Sequence, residues 1–141
     1  MGFYTQVSEY LPYIYKDLTK CEVAASGGQA SLLIMDRHET PFESQIIFDF
    51  CPPGKRHGVD LDQLSGGEKT IAALAFVFAL AKVKAPPLLI MDEVDAFLDA
   101  ANVSLVTNYL QKEKLKTQFL IVSHKEDLAH QTDSLVGVCM L

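Results

Sequence analysis

Apolar residues recur every three or four positions at the beginning of the chain, which is the spacing of an amphipathic helix that packs one face. The residues in this pattern are Phe3, Val7, Tyr10, Leu11, Ile14 and Leu18. Pro12 interrupts the pattern and lacks a backbone donor. We therefore expect either a kink or a second helix that begins there.

The pattern takes on the period of β-strands between Cys21 and Asp60. Ser26 to Gly28 indicate a turn, and both Ser31 to Met35 and Gln45 to Cys51 are typical of strands. In the second strand, apolar side chains alternate as they do when one face is half-buried. We therefore predict a small antiparallel sheet that flanks the main body of the protein.

Longer apolar runs, separated by turn signals, follow Leu61. Thr70 to Val83 carries apolar residues and alanines on nearly every face, which predicts a buried helix that ends before Pro86. Leu88 to Met91 is a short apolar run typical of a parallel strand covered on both faces. The remaining predicted elements are a helix at Ala101 to Lys114, a strand at Gln118 to Val122, a short helix at Lys125 to Ala129 and a final strand at Ser134 to Met140.

Composition and charge narrow the classes of function. The chain has 141 residues, 49% of them hydrophobic, which suffices for one compact domain with its own core. The net charge of -6 provides no overall basic field for nucleic acid. Lys112, Lys114 and Lys116 form the main basic cluster. Their alternate positions around Glu113 favour a solvated helix end over a binding stripe.

Cysteine use and hydropathy indicate a soluble, intracellular protein. The three cysteines are an odd number at unrelated spacings, which fits neither a disulfide framework nor a zinc site. The longest apolar run, Ile71 to Ala81, is about half as long as a bilayer span requires. We therefore expect a reducing compartment and no membrane partner.

The stretch from Leu64 to Lys69, which precedes the long apolar run, admits two compatible interpretations. Ser65 and Glu68 have the spacing of a capping box, which satisfies free backbone donors at the start of a helix. In the other interpretation, Gly66 and Gly67 leave space for a phosphate at the helix amino terminus, where free N–H groups and the dipole favour an anion.

Two adjacent acids, Asp92 and Glu93, follow the predicted strand at Leu88 to Met91. Acids at this position frequently begin a loop or cap the next helix. In open α/β sheets, however, ligands bind at the carboxyl ends of the strands. Asp92 is therefore a candidate Mg²⁺ ligand. Glu93 points in another direction and is a candidate to orient or deprotonate the attacking water in phosphoryl transfer.

The next predicted strand ends in Ser123 and His124, on the same side of the sheet as the two acids. A lone histidine is usually structural or solvent-facing. Beside the acids, the neutral imidazole of His124 is a candidate to hydrogen-bond a terminal phosphate or the attacking water.

Four motifs resemble, in order and spacing, those of ABC-type ATPases. They are the signature at Leu64 to Lys69, Walker B at Leu88 to Asp95, the D-loop at Leu98 and Asp99, and the switch at Ser123 and His124. Within that superfamily the chain resembles the carboxy-terminal lobe of a structural maintenance of chromosomes (SMC) head, and most of all the cohesin subunits. The segments that carry this closer resemblance are Ile14 to Lys16, Pro53 to Arg56, Leu64 to Leu74, Pro86 to Leu98 and Ser134 to Val138.

The resemblance implies an α/β fold in which a mainly parallel sheet with flanking helices is joined by a small antiparallel β segment. One domain is expected: residues 1–60 would form the first helix and the small β segment, and residues 61–141 the region of the four motifs. No string matches the P-loop G-x-x-x-x-G-K-[ST], which this family carries in an amino-terminal lobe. We therefore expect an ATPase half-site that is inactive alone.

The resemblance also implies cofactors, residue roles and partners. ATP and Mg²⁺ are the expected cofactors, with Asp92 on the metal and Glu93 and His124 in hydrolysis. The residues expected to bind nucleotide are Ser65, Gly66, Gly67, Glu68 and Asp99. The expected partners are the amino-terminal Walker A lobe, a second SMC head in a heterodimer, the winged-helix domain of a kleisin, and DNA through the whole complex. The expected location is the chromosome, in a nucleus or a prokaryotic nucleoid.

Two other functions remain open at the level of sequence. The chain could serve chiefly as an interaction module that docks a kleisin-like partner without any dependence on ATP. It could also be a fragment of a transporter's nucleotide-binding domain, although the SMC-like segments outside the shared motifs argue against this.

Overall fold

The computed structural model describes residues 2–21, 25–34, 45–55 and 61–139, which form a mixed α/β fold as predicted. The helices are α1 (Gly2–Thr19), α2 (Gly66–Lys84), α3 (Ala100–Glu113) and α4 (Glu126–Ala129), and the strands are β1 (Gln29–Ile34), β2 (Ile46–Cys51), β3 (Leu88–Asp92) and β4 (Gln118–Val122). Met35, Arg56 and Met140, which belong to predicted strands or to segments of the family resemblance, lie outside the described residues.

The first helix runs without interruption through Pro12, so the expected second helix at that position is wrong. Its buried face consists of Val7, Leu11, Ile14, Tyr15 and Leu18. This face continues on both sides of the proline, and its burial outweighs the one backbone hydrogen bond that proline cannot make. Phe3 and Tyr10, which the pattern assigned to the inner face, lie at its margin and are each 43% exposed.

The predicted antiparallel sheet is confirmed, with a register that runs from Gln29 opposite Cys51 to Ile34 opposite Ile46. A turn at residues 25–26 leads into β1. Gly28 approaches α1 so closely that a Cβ atom there would lie 2.7 Å from the Tyr15 ring. The sheet also contacts α2, because the rings of Phe48 and Phe76 meet edge to face with centroids 4.9 Å apart. These contacts fix the small sheet against the helices.

Helix α2 is buried on only part of its surface, whereas the sequence predicted burial on nearly every face. Its buried residues are Ile71, Ala72, Leu74, Ala75, Phe78 and Ala79, whereas Ala73 and Val77 are exposed. Phe78 stacks on Tyr109 of α3 with ring centroids 4.8 Å apart, and Lys82 pairs with Glu113 over 2.5 Å. Ala73 and Val77 are exposed because no element among the described residues covers them.

Strands β3 and β4 pair in parallel, with Leu88 opposite Gln118 and Asp92 opposite Val122. One face of this sheet packs on the core through Leu89, Met91, Phe119 and Ile121. The other face, which we call the open sheet face, consists of Leu88, Ile90, Leu120 and Val122, whose exposed fractions lie between 45% and 62%. The expectation that this sheet is covered on both faces is therefore wrong for the part of the chain that the structure describes.

The predicted final strand is also wrong over residues 134–139, which form no regular element. Leu135, Val136 and Val138 are all more than two-thirds exposed, with values of 71%, 86% and 97%. A strand is stabilised by hydrogen bonds to a neighbour, and no strand in the described ranges pairs with this segment.

None of the described helices is long and apolar enough to cross a membrane.

The end of α2 gives a prediction about stability. Ala85 caps this helix with a left-handed backbone, at φ 45° and ψ 55°, a conformation that favours glycine. We expect Ala85→Gly to raise the free energy of unfolding by about 1 kcal/mol, because glycine adopts this conformation without strain. Urea unfolding followed by circular dichroism would measure the change.

The matched control is Ala73→Gly, an exposed position inside the same helix. There the same substitution should lower the free energy of unfolding by about 1 kcal/mol, since the backbone is already helical. If both substitutions destabilised the protein equally, Ala85 would not have a left-handed backbone conformation.

Candidate functional site

The carboxyl ends of β3 and β4 lie at the same edge of the parallel sheet, as the sequence predicted. Asp92 is the last residue of β3, and Glu93 follows it with a backbone N–H that donates to Val122 O over 2.8 Å. This bond extends the pairing by one residue beyond the strand. It therefore anchors the acidic pair beside the segment that carries Ser123 and His124.

Glu93 and His124 form a direct side-chain contact at this edge. His124 Nε2 lies 3.0 Å from Glu93 Oε1, and both side chains are more than half exposed, at 84% and 55%. Glu93 has a left-handed backbone with φ 46°, which costs about 1 kcal/mol or more for a residue with a side chain. A carboxylate next to an imidazole at an open strand end can bind a water molecule and accept its proton.

Asp92 offers an exposed carboxylate next to this pair. In the part of the chain that the structure describes, no cluster of three or more His, Cys, Asp or Glu side chains could hold a metal ion by itself. Mg²⁺ needs only one or two protein carboxylates when phosphates and water supply its other ligands. A magnesium ion shared with a nucleotide therefore fits Asp92.

The amino terminus of α2 carries the capping box that the sequence predicted. Ser65 Oγ accepts from Glu68 N over 3.2 Å, and Ser65 N donates to Glu68 Oε2 over 2.7 Å. Lys55 Nζ lies 2.7 Å from the same carboxylate oxygen. Burial raises the pKa of Glu68, but the hydrogen bonds from Lys55 and Ser65 outweigh it and lower the pKa below its ordinary value. The carboxylate is therefore ionised and already bound within this chain.

The two glycines at this helix start have different surroundings. A Cβ atom on Gly67 would lie 3.1 Å from Phe97 O, which is tight, whereas one on Gly66 would meet only the Phe97 side chain at 3.9 Å. The lack of a side chain at Gly67 is thus explained by packing against the loop after β3. Ser65 and Gly66 are exposed and leave the free end of the helix open to an anion.

Asp99 ends the loop that begins at Glu93. Its side chain accepts a hydrogen bond from Asn102 N over 2.8 Å and so caps α3. It is exposed. The loop from Glu93 to Asp99 therefore connects the acidic pair, the start of α3 and, through Phe97, the start of α2.

The sequence patterns indicate no separate function for Asp95, which lies within this loop. Asp95 is only 2% exposed, and its Oδ2 accepts a hydrogen bond from Ser123 Oγ over 2.6 Å. The backbone of Leu98 accepts a further bond from Lys125 Nζ. The only sequence signal for this network was that Asp95 and Ser123 each follow a strand of the same parallel pair.

A family model described as the RecF/RecN/SMC N terminal domain matches residues 53–141. The chain is similar to structural maintenance of chromosomes protein 1 of Schizosaccharomyces pombe, with 41% identity over 136 residues. This match covers 96% of the chain but only 11% of the yeast protein. The chain therefore corresponds to a small part of that relative.

Solved structures of SMC heads have the same fold. One, from work on ATP-driven dimerization and DNA-stimulated activation of SMC ATPases, matches with a TM-score of 0.85 and 31% identity, covering 100% of this chain and 81% of that one. Another is an SMC head bound to the C-terminal winged-helix domain of ScpA. It matches with a TM-score of 0.79 and 32% identity, covering 92% of this chain and 37% of that one.

Proposed function

The chain belongs to the SMC family, as part of an ATPase head, and we propose that it supplies the signature loop to one ATP and the hydrolytic acids to another. The observation that carries this proposal is the contact between Glu93 and His124 at the edge where β3 and β4 end, beside the exposed Asp92. Carboxylates in this position suit phosphoryl transfer, which needs a metal ligand and a group that orients water.

Each residue at the strand ends has a distinct proposed task. Glu93 would orient the attacking water and accept its proton, and His124, 3.0 Å away, would hold the carboxylate in place or contact the terminal phosphate. Asp92 would bind Mg²⁺ directly or through water. The ion, when bound, would neutralise charge on the phosphates.

The signature loop would act on a different ATP molecule, held by the P-loop of a partner head. Ser65 and Gly66 lie exposed at the start of α2. The capping box bonds the N–H groups of Ser65 and Glu68, so those of Gly66 and Gly67 would be available to phosphate oxygens. Gly67 and Glu68 would support this loop through the contact with Phe97 O and the capping box. Asp99, which caps α3, would contribute to the same interface between heads.

The P-loop that binds the nucleotide phosphates would come from an amino-terminal lobe of the same protein. No P-loop string occurs in the sequence. The open sheet face is consistent with a second lobe, because four large apolar side chains there lack cover among the described residues. Covering this face would complete the second layer that a parallel sheet requires.

We extend the proposal to the assembly and its location. The related head bound to a winged-helix domain supports a kleisin partner, and the work on ATP-driven dimerization supports a second head. The similarity to SMC protein 1 supports a place as the first SMC subunit of a cohesin complex on nuclear chromosomes. ATP binding would join the heads, hydrolysis would separate them, and the cycle would act on DNA through the whole complex.

The role of Glu93 predicts a separation of binding from hydrolysis. In the complete SMC protein with its partner head, Glu93→Gln should bind ATP within about twofold of the normal affinity and lower turnover by about a hundredfold or more. The amide keeps the shape of the side chain but cannot accept the proton. Glu9→Gln, at an exposed position on α1, is the matched control and should have normal turnover. Normal turnover by Glu93→Gln would refute the role of Glu93 as a base.

The role of Ser65 predicts a defect in head engagement alone. Ser65→Arg places a large side chain at the open start of α2 and should abolish ATP-dependent crosslinking of the two heads. ATP binding by each head should persist, since the proposed contact is to the nucleotide of the partner. Ser104→Arg on the exposed side of α3 controls for the added bulk and charge. Loss of ATP binding in Ser65→Arg would contradict a role across the interface.

A further inference from the structure

Asp95 is a buried carboxylate that the proposed reaction does not use. It is 2% exposed, and among the described residues only Thr107 is another buried polar side chain. A buried carboxylate is costly unless hydrogen bonds satisfy it. Ser123 Oγ donates to Asp95 Oδ2 over 2.6 Å and accepts from Lys125 N over 2.9 Å. The Ser123 hydroxyl thereby connects the loop after β3 with the segment after β4.

Further bonds restrain the same loop at its start and its end. Glu93 N donates to Val122 O over 2.8 Å, and Lys125 Nζ donates to Leu98 O. Within the loop, Ala96 N donates to Glu93 O over 3.1 Å and Leu98 N donates to Asp95 O over 3.0 Å, which forms two overlapping turns. The bond between Asp95 and Ser123 is the middle attachment, and it joins two side chains, of which that of Asp95 is buried.

Glu93 depends on these attachments because its own side chain is weakly held. The carboxylate contacts only an exposed imidazole among the bonds that the structure shows, and the left-handed backbone at φ 46° persists only where surrounding structure imposes it. The direction of the carboxylate therefore follows from the position of the loop backbone. Glu93 N bonded to Val122 O holds this backbone at its start, and the buried side chain of Asp95 holds it two residues later.

We propose that Ser123, through its hydrogen bond to the buried Asp95, is a positioning residue that fixes Glu93 for water activation. This inference rests on the proposed function of Glu93. Removing the hydroxyl would leave the Asp95 carboxylate without this partner, and solvation of the carboxylate would draw the loop away from β4. A displacement of the base by about 1 Å is enough to slow a reaction markedly.

The test uses the complete SMC protein with its partner head and compares Ser123→Ala with Ser123→Thr. We expect Ser123→Ala to lower kcat by about tenfold or more with KM for ATP within about twofold, because the geometry of the reacting groups changes and nucleotide binding does not. Ser123→Thr keeps the hydroxyl and should restore most of the activity. Thr132→Ala, which removes an exposed hydroxyl bonded to Ala129 O, is the matched control. Normal kcat in Ser123→Ala would overturn the proposal.

Ser123→Cys decides the question if Ser123→Ala does not fold, since the thiol fills the same space and is only a weak donor. It should also show a reduced kcat, and normal turnover by Ser123→Cys would overturn the proposal. Equal losses in the alanine and threonine variants would overturn it as well, because the threonine variant still carries the donor.

Combining Ser123→Ala with Glu93→Gln separates this inference from the proposed function. If Ser123 acts through Glu93, adding Ser123→Ala to Glu93→Gln should lower the residual rate by less than about twofold. If Ser123→Ala lowered the residual rate of Glu93→Gln by the same factor as it lowers the rate of the unmodified protein, Ser123 would act independently of Glu93. That result would overturn the inference. Normal turnover by Glu93→Gln alone would contradict the proposed function itself. Slow turnover by Glu93→Gln together with normal turnover by Ser123→Ala would contradict only the positioning role of Ser123.

Discussion

The parallel ladder between β3 and β4 is the constraint on which the candidate site depends. Its register places Asp92 opposite Val122, so the residues that follow each strand emerge at one edge. The ladder continues through Glu93 N, which explains why a glutamate can hold a left-handed backbone there and meet His124. Every proposed role in hydrolysis follows from this pairing, because a change of register by one residue would separate the carboxylate from the imidazole.

Local signals in the sequence were sufficient for most helices and strands and for placing Asp92, Glu93, Ser123 and His124 at one edge of the sheet. The capping box at Ser65 and Glu68 is read from residues three positions apart, and it forms as expected. The strand at Gln118 to Val122 has the predicted bounds, since both of its ends are marked by polar residues. The buried network of Asp95 and Ser123 could not be found in this way. Its partners are 28 residues apart, and only the packing of the loop against β4 shows that Asp95 is buried.

The expectations that were wrong concern burial and pairing, which depend on neighbours. An apolar run such as Leu88 to Met91 predicts cover on both faces, yet Leu88 and Ile90 remain exposed. Leu135 to Val138 has the composition of a strand and finds no pairing partner in the described ranges. An apolar segment indicates that its side chains are to be buried or its backbone paired. Only the structure shows which segments find such neighbours among the described residues. The exposed apolar side chains of β3 and β4 lie on the sheet that carries the acids, which is consistent with the proposed second lobe of the same head.

The most direct measurement is the ATPase rate of this chain alone and after addition of an amino-terminal SMC lobe that carries a P-loop. The half-site interpretation predicts no appreciable hydrolysis by the chain alone, because Asp92 and Glu93 would have no held nucleotide to act on. It predicts ATP binding only when the second lobe is present. The chain carrying Glu93→Gln controls for contaminating ATPases. Robust turnover by the isolated chain, lost in that control, would contradict the interpretation.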